Sequence, residues 1–187
     1  MRIIAGTLKS RIIKPVPGKQ TRPTSDKVKE AIFHKLGPFF EGGFALDLFA
    51  GSGSLGIEAI SRGMDHVVFV ENAHQAVRII RDNTQKLNLE SQSEVIKTDA
   101  FRALSIFSKQ HKQFDLILLD PPYEKISYEK VLDTIQVNDL LSSNGLIYVE
   151  ASGNHSVTYE STYYQRIYEK KYSNTTSVMI LKKHAYQ

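Results

Sequence analysis

The 187-residue sequence contains no cysteine. That absence excludes a disulfide scaffold, a thiolate metal centre and a cysteine nucleophile together. Long apolar runs are also missing. None approaches the roughly 20 residues that a membrane helix needs, and the start at Arg2-Ile3-Ile4 has no signal-peptide apolar stretch. Histidines in metal-ligand spacing are absent too: His66, His74, His111, His155 and His184 stand alone, His34 falls on a basic helix, and no metal is expected. Repeats and low-complexity segments are lacking. What remains is an ordinary globular balance, 41% hydrophobic and 24% charged, which excludes a disordered or fibrous chain. The length suits one globular unit with a real core, and the expectation is a soluble, cytoplasmic protein.

The charge is unevenly placed. Residues 1–35 carry nine Lys/Arg against Asp26 and Glu30, a local charge of +7, whereas the whole chain carries +4 and the remainder therefore −3. A basic arm on a slightly acidic body points to a polyanionic partner, RNA or DNA. The reading divides the chain into a basic extension over residues 1–36 and a body over residues 37–187.

Within the arm, Lys14-Pro15-Val16-Pro17-Gly18 and Thr21-Arg22-Pro23-Thr24 are turn clusters. Arg2 to Thr7 and Leu8 to Lys14 read as two short strands of a hairpin turning near Gly6. Thr24 or Ser25 is placed to cap a helix whose Val28, Ala31, Ile32 and Leu36 recur at helical spacing, with Lys27, Lys29 and Lys35 on its polar side. Gly37-Pro38 ends it.

From Phe44 onward strands and helices alternate. Strands are expected over residues 44–48, 66–70, 94–96, 114–119 and 145–149, and helices over 55–61, 73–88, 101–110 and 128–135. Such βαβ units build a parallel sheet with helices on both faces. The tail breaks the rhythm: runs 163–171 and 177–183, joined at Ser173-Asn174-Thr175, read as an antiparallel hairpin on the sheet edge. The fold class is α/β, Rossmann-like.

The segment Asp47-Leu48-Phe49-Ala50-Gly51-Ser52-Gly53-Ser54-Leu55-Gly56 lies where the first strand passes into a helix. Ligands of open α/β sheets bind there, beyond the carboxyl ends of the strands. Gly51, Gly53 and Gly56 spell the dinucleotide fingerprint, with Glu71 twenty residues after Gly51. Taken literally, that predicts NAD. Asp47 argues against it, because a carboxylate repels a pyrophosphate but favours the sulfonium and ammonium of S-adenosylmethionine. Glu71-Asn72 ends the second strand, where a carboxylate accepts from ribose hydroxyls in either ligand. Asp99-Ala100-Phe101 follows the third strand and is placed to meet an adenine, although an Asp there also serves as a helix cap.

The fourth strand runs straight into Asp120-Pro121-Pro122-Tyr123. Two prolines make a rigid, extended turn whose carbonyls are not consumed by a helix. Asp120 and the Pro121 carbonyl can then accept both hydrogens of one exocyclic amine, and Tyr123 offers a face to stack a base. Holding those hydrogens out of the ring plane localises the nitrogen lone pair for attack on a methyl sulfonium.

These motifs resemble class I S-adenosylmethionine-dependent methyltransferases that act on base amino groups. With Arg2-Ile3-Ile4-Ala5-Gly6 and Arg22-Pro23-Thr24-Ser25-Asp26-Lys27-Val28-Lys29-Glu30 the sequence resembles the RsmD family, bacterial methyltransferases of guanine N2 in 16S ribosomal RNA. The likeness runs from Arg2 to Tyr148-Val149-Glu150 and weakens in the tail. It implies a seven-stranded sheet, a monomer and a small ribosomal subunit, or its assembly intermediate, as substrate. It places the cofactor at Asp47, Phe49, Gly51, Gly53, Glu71, Asn72, Asp99 and Ala100, and the base at Asp120, Pro121, Pro122 and Tyr123. Arg2, Arg11, Lys14, Arg22 and Lys27 would meet RNA phosphates, as their charge also suggests. The competing readings are an adenine-N6 methyltransferase, an NAD-dependent oxidoreductase, and a non-catalytic RNA-binding module with a relic pocket.

Overall fold

The computed structural model describes residues 1–17, 26–122, 126–153 and 157–184. Among the described residues five α-helices and seven strands follow one another as α1 (Asp26–Leu36), β1 (Phe44–Asp47), α2 (Ser54–Ser61), β2 (His66–Glu71), α3 (His74–Lys86), β3 (Ser93–Lys97), α4 (Ala100–Lys109), β4 (Phe114–Leu119), α5 (Tyr128–Val137), β5 (Leu141–Ala151), β6 (Tyr164–Ser173) and β7 (Thr176–Lys183). The alternating pattern read from the sequence appears with boundaries shifted by at most four residues, β4 unshifted and β5 gaining the most at its start. One sheet holds every strand in the order β3-β2-β1-β4-β5-β7-β6. The first five are mutually parallel, and β7 joins β5 antiparallel with β6 outside it. This is a Rossmann-like α/β fold closed by an antiparallel C-terminal hairpin.

Successive strand side chains point to opposite faces, and the core divides accordingly. Leu46, Leu48, Ile117, Leu119, Ile147 and Val149 face α4 and α5. Ala45, Val67, Phe69, Leu116, Leu118, Tyr148 and Ile180 face α1, α2 and α3. Helix α1 brings Ile32, Phe33 and Leu36 into that second layer together with Ile3 and Ile13, so residues of the basic extension share the core of the body. At about 25 cal/mol per Å² of apolar surface, fully burying side chains of this size contributes about 1.5–3 kcal/mol each.

Two expectations for the arm are corrected. Its two runs do not form strands: the antiparallel pairing is a single bridge between Arg2 and Ile12, with turns between. The reason lies in where the N–H groups go. Ile4 and Ala5 donate to the Glu58 carboxylate, and Thr7 and Leu8 to the Ser61 carbonyl and hydroxyl, at 2.8–3.1 Å. Those donors are therefore spent on α2 and not on a ladder. The second correction is Lys29, which is 3% exposed and not on a solvated face; its ammonium lies 3.3 Å from Glu58 and donates to the Arg2 carbonyl at 2.8 Å. Lys27 and Lys35 are exposed as expected. The proposed caps Thr24 and Ser25 lie outside the described residues.

Candidate active site

β1 lies between β2 and β4, and the chain crosses to opposite sides of it in the two directions. The crevice at such a switch point, beyond the strand ends, is where open α/β sheets hold ligands. Neighbouring strands are about 4.8 Å apart, so the residues ending β1, β2 and β4 fall within about 10 Å of one another. They are Asp47, Glu71 and Asp120.

The glycine turn is built by those acids. Gly51 and Gly53 adopt φ of 55° and 80°, left-handed values that favour glycine. A side chain at Gly51 would meet nothing within 4 Å, so that face of the turn is open, whereas one at Gly56 would strike the Phe69 ring at 2.3 Å. The first two glycines thus make the turn and the third lets α2 press onto the sheet. Asp47, 1% exposed, accepts the Gly56 N–H at 3.0 Å and caps the first turn of α2. Burial pushes its carboxyl up to about 7, against the lowering pull of that hydrogen bond, and Glu71 adds a raising repulsion. Glu71 accepts the Gly51 N–H at 2.9 Å and the Ala73 N–H at 2.8 Å through different oxygens. Each oxygen keeps acceptor capacity for a hydroxyl.

The remaining predicted residues take up varied positions. Phe49 is half-buried against the α4–α5 layer, and Asn72 is exposed beside Glu71. Asp99 is exposed and caps α4, accepting the Arg102 N–H at 3.0 Å through Oδ1, a bond that does not use Oδ2. Ala100 is buried directly behind it. Asp120 is half-buried, Pro121 buried and Pro122 exposed. Tyr123 lies outside the described residues, as does Arg22.

The other arm residues spread along the surface: Arg2 pairs with Asp26 at 2.5 Å, Lys14 with Asp82 at 3.3 Å, and Arg11 and Lys27 are exposed.

Three groups that the sequence reading missed stand behind these residues. Glu150, 4% exposed, is the penultimate residue of β5, the fifth parallel strand; it accepts the Tyr148 hydroxyl at 2.6 Å, and its carbonyl accepts the Tyr128 hydroxyl at 3.0 Å. Burial pushes the Tyr128 hydroxyl up, with Asp120 and Glu150 adding to the shift, so Tyr128 stays a neutral donor beside the Asp-Pro-Pro turn. Applying the strand-end rule to β5 as well would have found Glu150. Asn83, fully buried, donates to the Ser52 carbonyl of the glycine turn and exchanges two hydrogen bonds with the Lys14 backbone, at 2.8–3.0 Å. The third group is the Lys29–Glu58–Arg62 cluster, in which Arg62 donates to Glu58 at 2.8 Å and Lys29 also reaches the Ser54 hydroxyl at 3.2 Å. Both Asn83 and Lys29 tie the arm to the turn that forms the site.

The strand order, the glycine turn capped by a strand-end carboxylate, and the Asp-Pro-Pro turn after β4 define a Rossmann-like class I methyltransferase, the class whose methyl donor is S-adenosylmethionine. Comparison with known proteins places the chain within that class. The family described as Conserved hypothetical protein 95 matches residues 1–181. The Bacillus subtilis protein YlbH is 45% identical over 80% of this chain and 82% of its own length. The Haemophilus influenzae protein named Ribosomal RNA small subunit methyltransferase D is 38% identical over 80% of this chain and 78% of its own. The solved structure of Escherichia coli yhhF superposes with a TM-score of 0.83 at 28% identity, covering 100% of this chain and 99% of that one. A more distant solved structure, SMU.776 with bound SAH, shares the fold at 18% identity and a TM-score of 0.68, over 84% of this chain and 48% of that one. The chain belongs to the RsmD family.

Proposed function

We propose that the chain transfers a methyl group from S-adenosylmethionine to the exocyclic N2 amine of a guanine in 16S ribosomal RNA. The substrate is the small ribosomal subunit or its assembly intermediate, and the enzyme acts as a cytoplasmic monomer. One observation carries the reading: the turn that can grip an amine, Asp120-Pro121, leaves β4 directly beside the glycine turn of β1, where the Leu48 N–H donates to the Leu118 carbonyl at 3.1 Å.

The residues of the crevice fit the methyl donor and do not fit a dinucleotide. A pyrophosphate at this turn needs the N–H groups at the start of α2. Those of Gly51 and Gly56 already go to the carboxylates of Glu71 and Asp47, which would also repel it. A cation meets the opposite situation: Asp47 is held near neutrality by burial, and a nearby positive charge would relieve that cost. Glu71 would take the ribose hydroxyls, and the Oδ2 of Asp99 an adenine amine. When bound, S-adenosylmethionine supplies a methyl group activated on a sulfonium. The chain itself aligns the acceptor: Asp120 and the Pro121 carbonyl accept hydrogen bonds from the two amine hydrogens, the Tyr123 ring stacks the base, and the one proton the nitrogen loses on methylation leaves past the Asp120 carboxylate to solvent. Neither a covalent intermediate nor a side-chain nucleophile is needed. Adenine N6 presents the same pair of hydrogens, so the choice of guanine rests on the family and is decided by product analysis.

Thermal unfolding with added ligand tests the cofactor half of the reading. S-adenosylhomocysteine at a hundredfold excess over its Kd stabilises the fold by about 2.7 kcal/mol, and NAD at the same concentration does not. Stabilisation by NAD alone would overturn the assignment.

A further inference from the structure

Helix α1 lies over the sheet near its outer edge, and a groove of about 440 Å³ runs between it and the edge strand β6. Tyr168, Lys170 and Tyr172 alternate along β6 and so present side chains to one face, the face that α1 covers. Tyr168 and Tyr172 pack against the buried layer beneath α1, and their hydroxyls lie 2.9 Å apart. When one donates to the other, the proton of the second remains for an acceptor in the groove. Lys35 of α1 sits 5.6 Å from the Tyr168 ring centre and Lys170 5.2 Å from that of Tyr172. These cation–ring contacts hold two ammonium groups along the groove while their alkyl stems cover apolar surface. With Lys27 the walls carry three ammonium groups against one carboxylate, Glu30.

The groove also has a direction. Lys29 touches Ser54 of the glycine turn, so the early turns of α1 lie at the catalytic edge of the sheet. On β6 the Tyr172 end lies there too, because Ser173 pairs with Thr176 and Ser177 pairs with Ala151 at the end of β5. A strand whose base enters at Asp120 can therefore continue down this side of the molecule.

We propose that the groove between α1 and β6, floored by Tyr168 and Tyr172 and edged by Lys27, Lys35 and Lys170, is a second RNA-backbone site that holds the substrate strand beyond the catalytic edge. It rests on the RNA reading above and extends the interface past the arm. Phosphates meet the ammonium groups, and the tyrosine hydroxyl pair donates to a phosphate or a ribose 2′-oxygen. Lysines on an edge strand can also serve to block strand-to-strand association, and the test separates that role.

Binding of a short oligouridylate is followed across a salt series for the wild type, Lys35→Gln/Lys170→Gln, Lys170→Glu and, on the arm, Arg11→Gln. Lys170→Glu changes only an exposed edge position and keeps the test open should the double variant misfold. The groove variants bind roughly tenfold more weakly. For the double variant, the slope of log K against log salt becomes shallower by about 1.4, at about 0.7 per single-strand phosphate. Affinity for S-adenosylhomocysteine is unchanged. Wild-type affinity in both groove variants, with weaker binding by Arg11→Gln, overturns the groove and leaves the arm standing. Self-association with retained RNA affinity marks the lysines as edge guards and overturns it as well. Undiminished binding by all three variants overturns the groove together with the arm contact, and absence of wild-type binding across the salt series removes the RNA reading itself.

Discussion

Asp47 and Glu58 are 1% and 0% exposed and both engage helix α2, yet their partners differ in kind. Glu58 accepts from two backbone N–H groups of the arm and from the cations Lys29 and Arg62. Among the described residues Asp47 accepts one N–H, that of Gly56, and meets the repulsion of Glu71. A buried carboxylate with its cations in place is a structural clamp, and here it fastens the basic arm to the helix behind the glycine turn. One without a cation is costly to keep charged, and that cost falls when a cationic ligand arrives. The arm clamp is complete in the folded chain; under the proposed function, the cationic ligand would complete the site clamp.

The comparison can be broken at several points. The largest effect falls on chemistry: Asp120→Ala lowers methyl transfer by about a thousandfold or more, with the fold intact by thermal unfolding. Near-wild-type turnover would remove Asp120 from the reaction. Next comes the arm clamp. Glu58→Ala leaves Lys29 and Arg62 buried without their carboxylate and costs about 3–5 kcal/mol in urea unfolding. Burial already pulls Lys29 below the usual lysine range against the raising effect of Glu58. A loss below about 1 kcal/mol would mean that the arm is held by its apolar contacts alone.

Asp47→Asn acts on the site clamp and has a distinct pH signature. The folded state holds its proton up to about 7 while the unfolded chain releases it near the ordinary value of 3.8. The folded state therefore binds more protons between those values, and its stability falls as pH rises through them. Asparagine keeps the acceptor for Gly56 and removes the charge, so the variant loses less stability between pH 5 and pH 8 than the wild type does. The same change weakens S-adenosylhomocysteine, whose wild-type affinity tightens as Asp47 ionises. Equal pH profiles in the two chains would contradict the burial argument. The smallest effect belongs to a surface pair: Asp26→Asn, which frees Arg2, alters stability by less than about 1 kcal/mol.

Much of this was legible in the sequence because it is local. The strands, the glycine turn and the acids ending β1, β2 and β4 follow from periodicity and from short motifs at strand ends. Other features depend on partners far along the chain. Lys29 occupies a helix face that looks polar until Glu58, twenty-nine residues later, is brought against it. The arm hairpin fails as a pair of strands because α2 takes its donors, which no pattern within residues 1–14 signals. The α1–β6 groove needs a helix from one end of the chain to pack over an edge strand from the other.

The account stands most directly on the identity of the product. Small ribosomal subunits from cells lacking this enzyme are incubated with the purified chain and methyl-labelled S-adenosylmethionine, and the 16S RNA is digested to nucleosides for mass spectrometry. The account predicts label in N2-methylguanosine, lost with Asp120→Ala; label in N6-methyladenosine, or in no nucleoside, would contradict it.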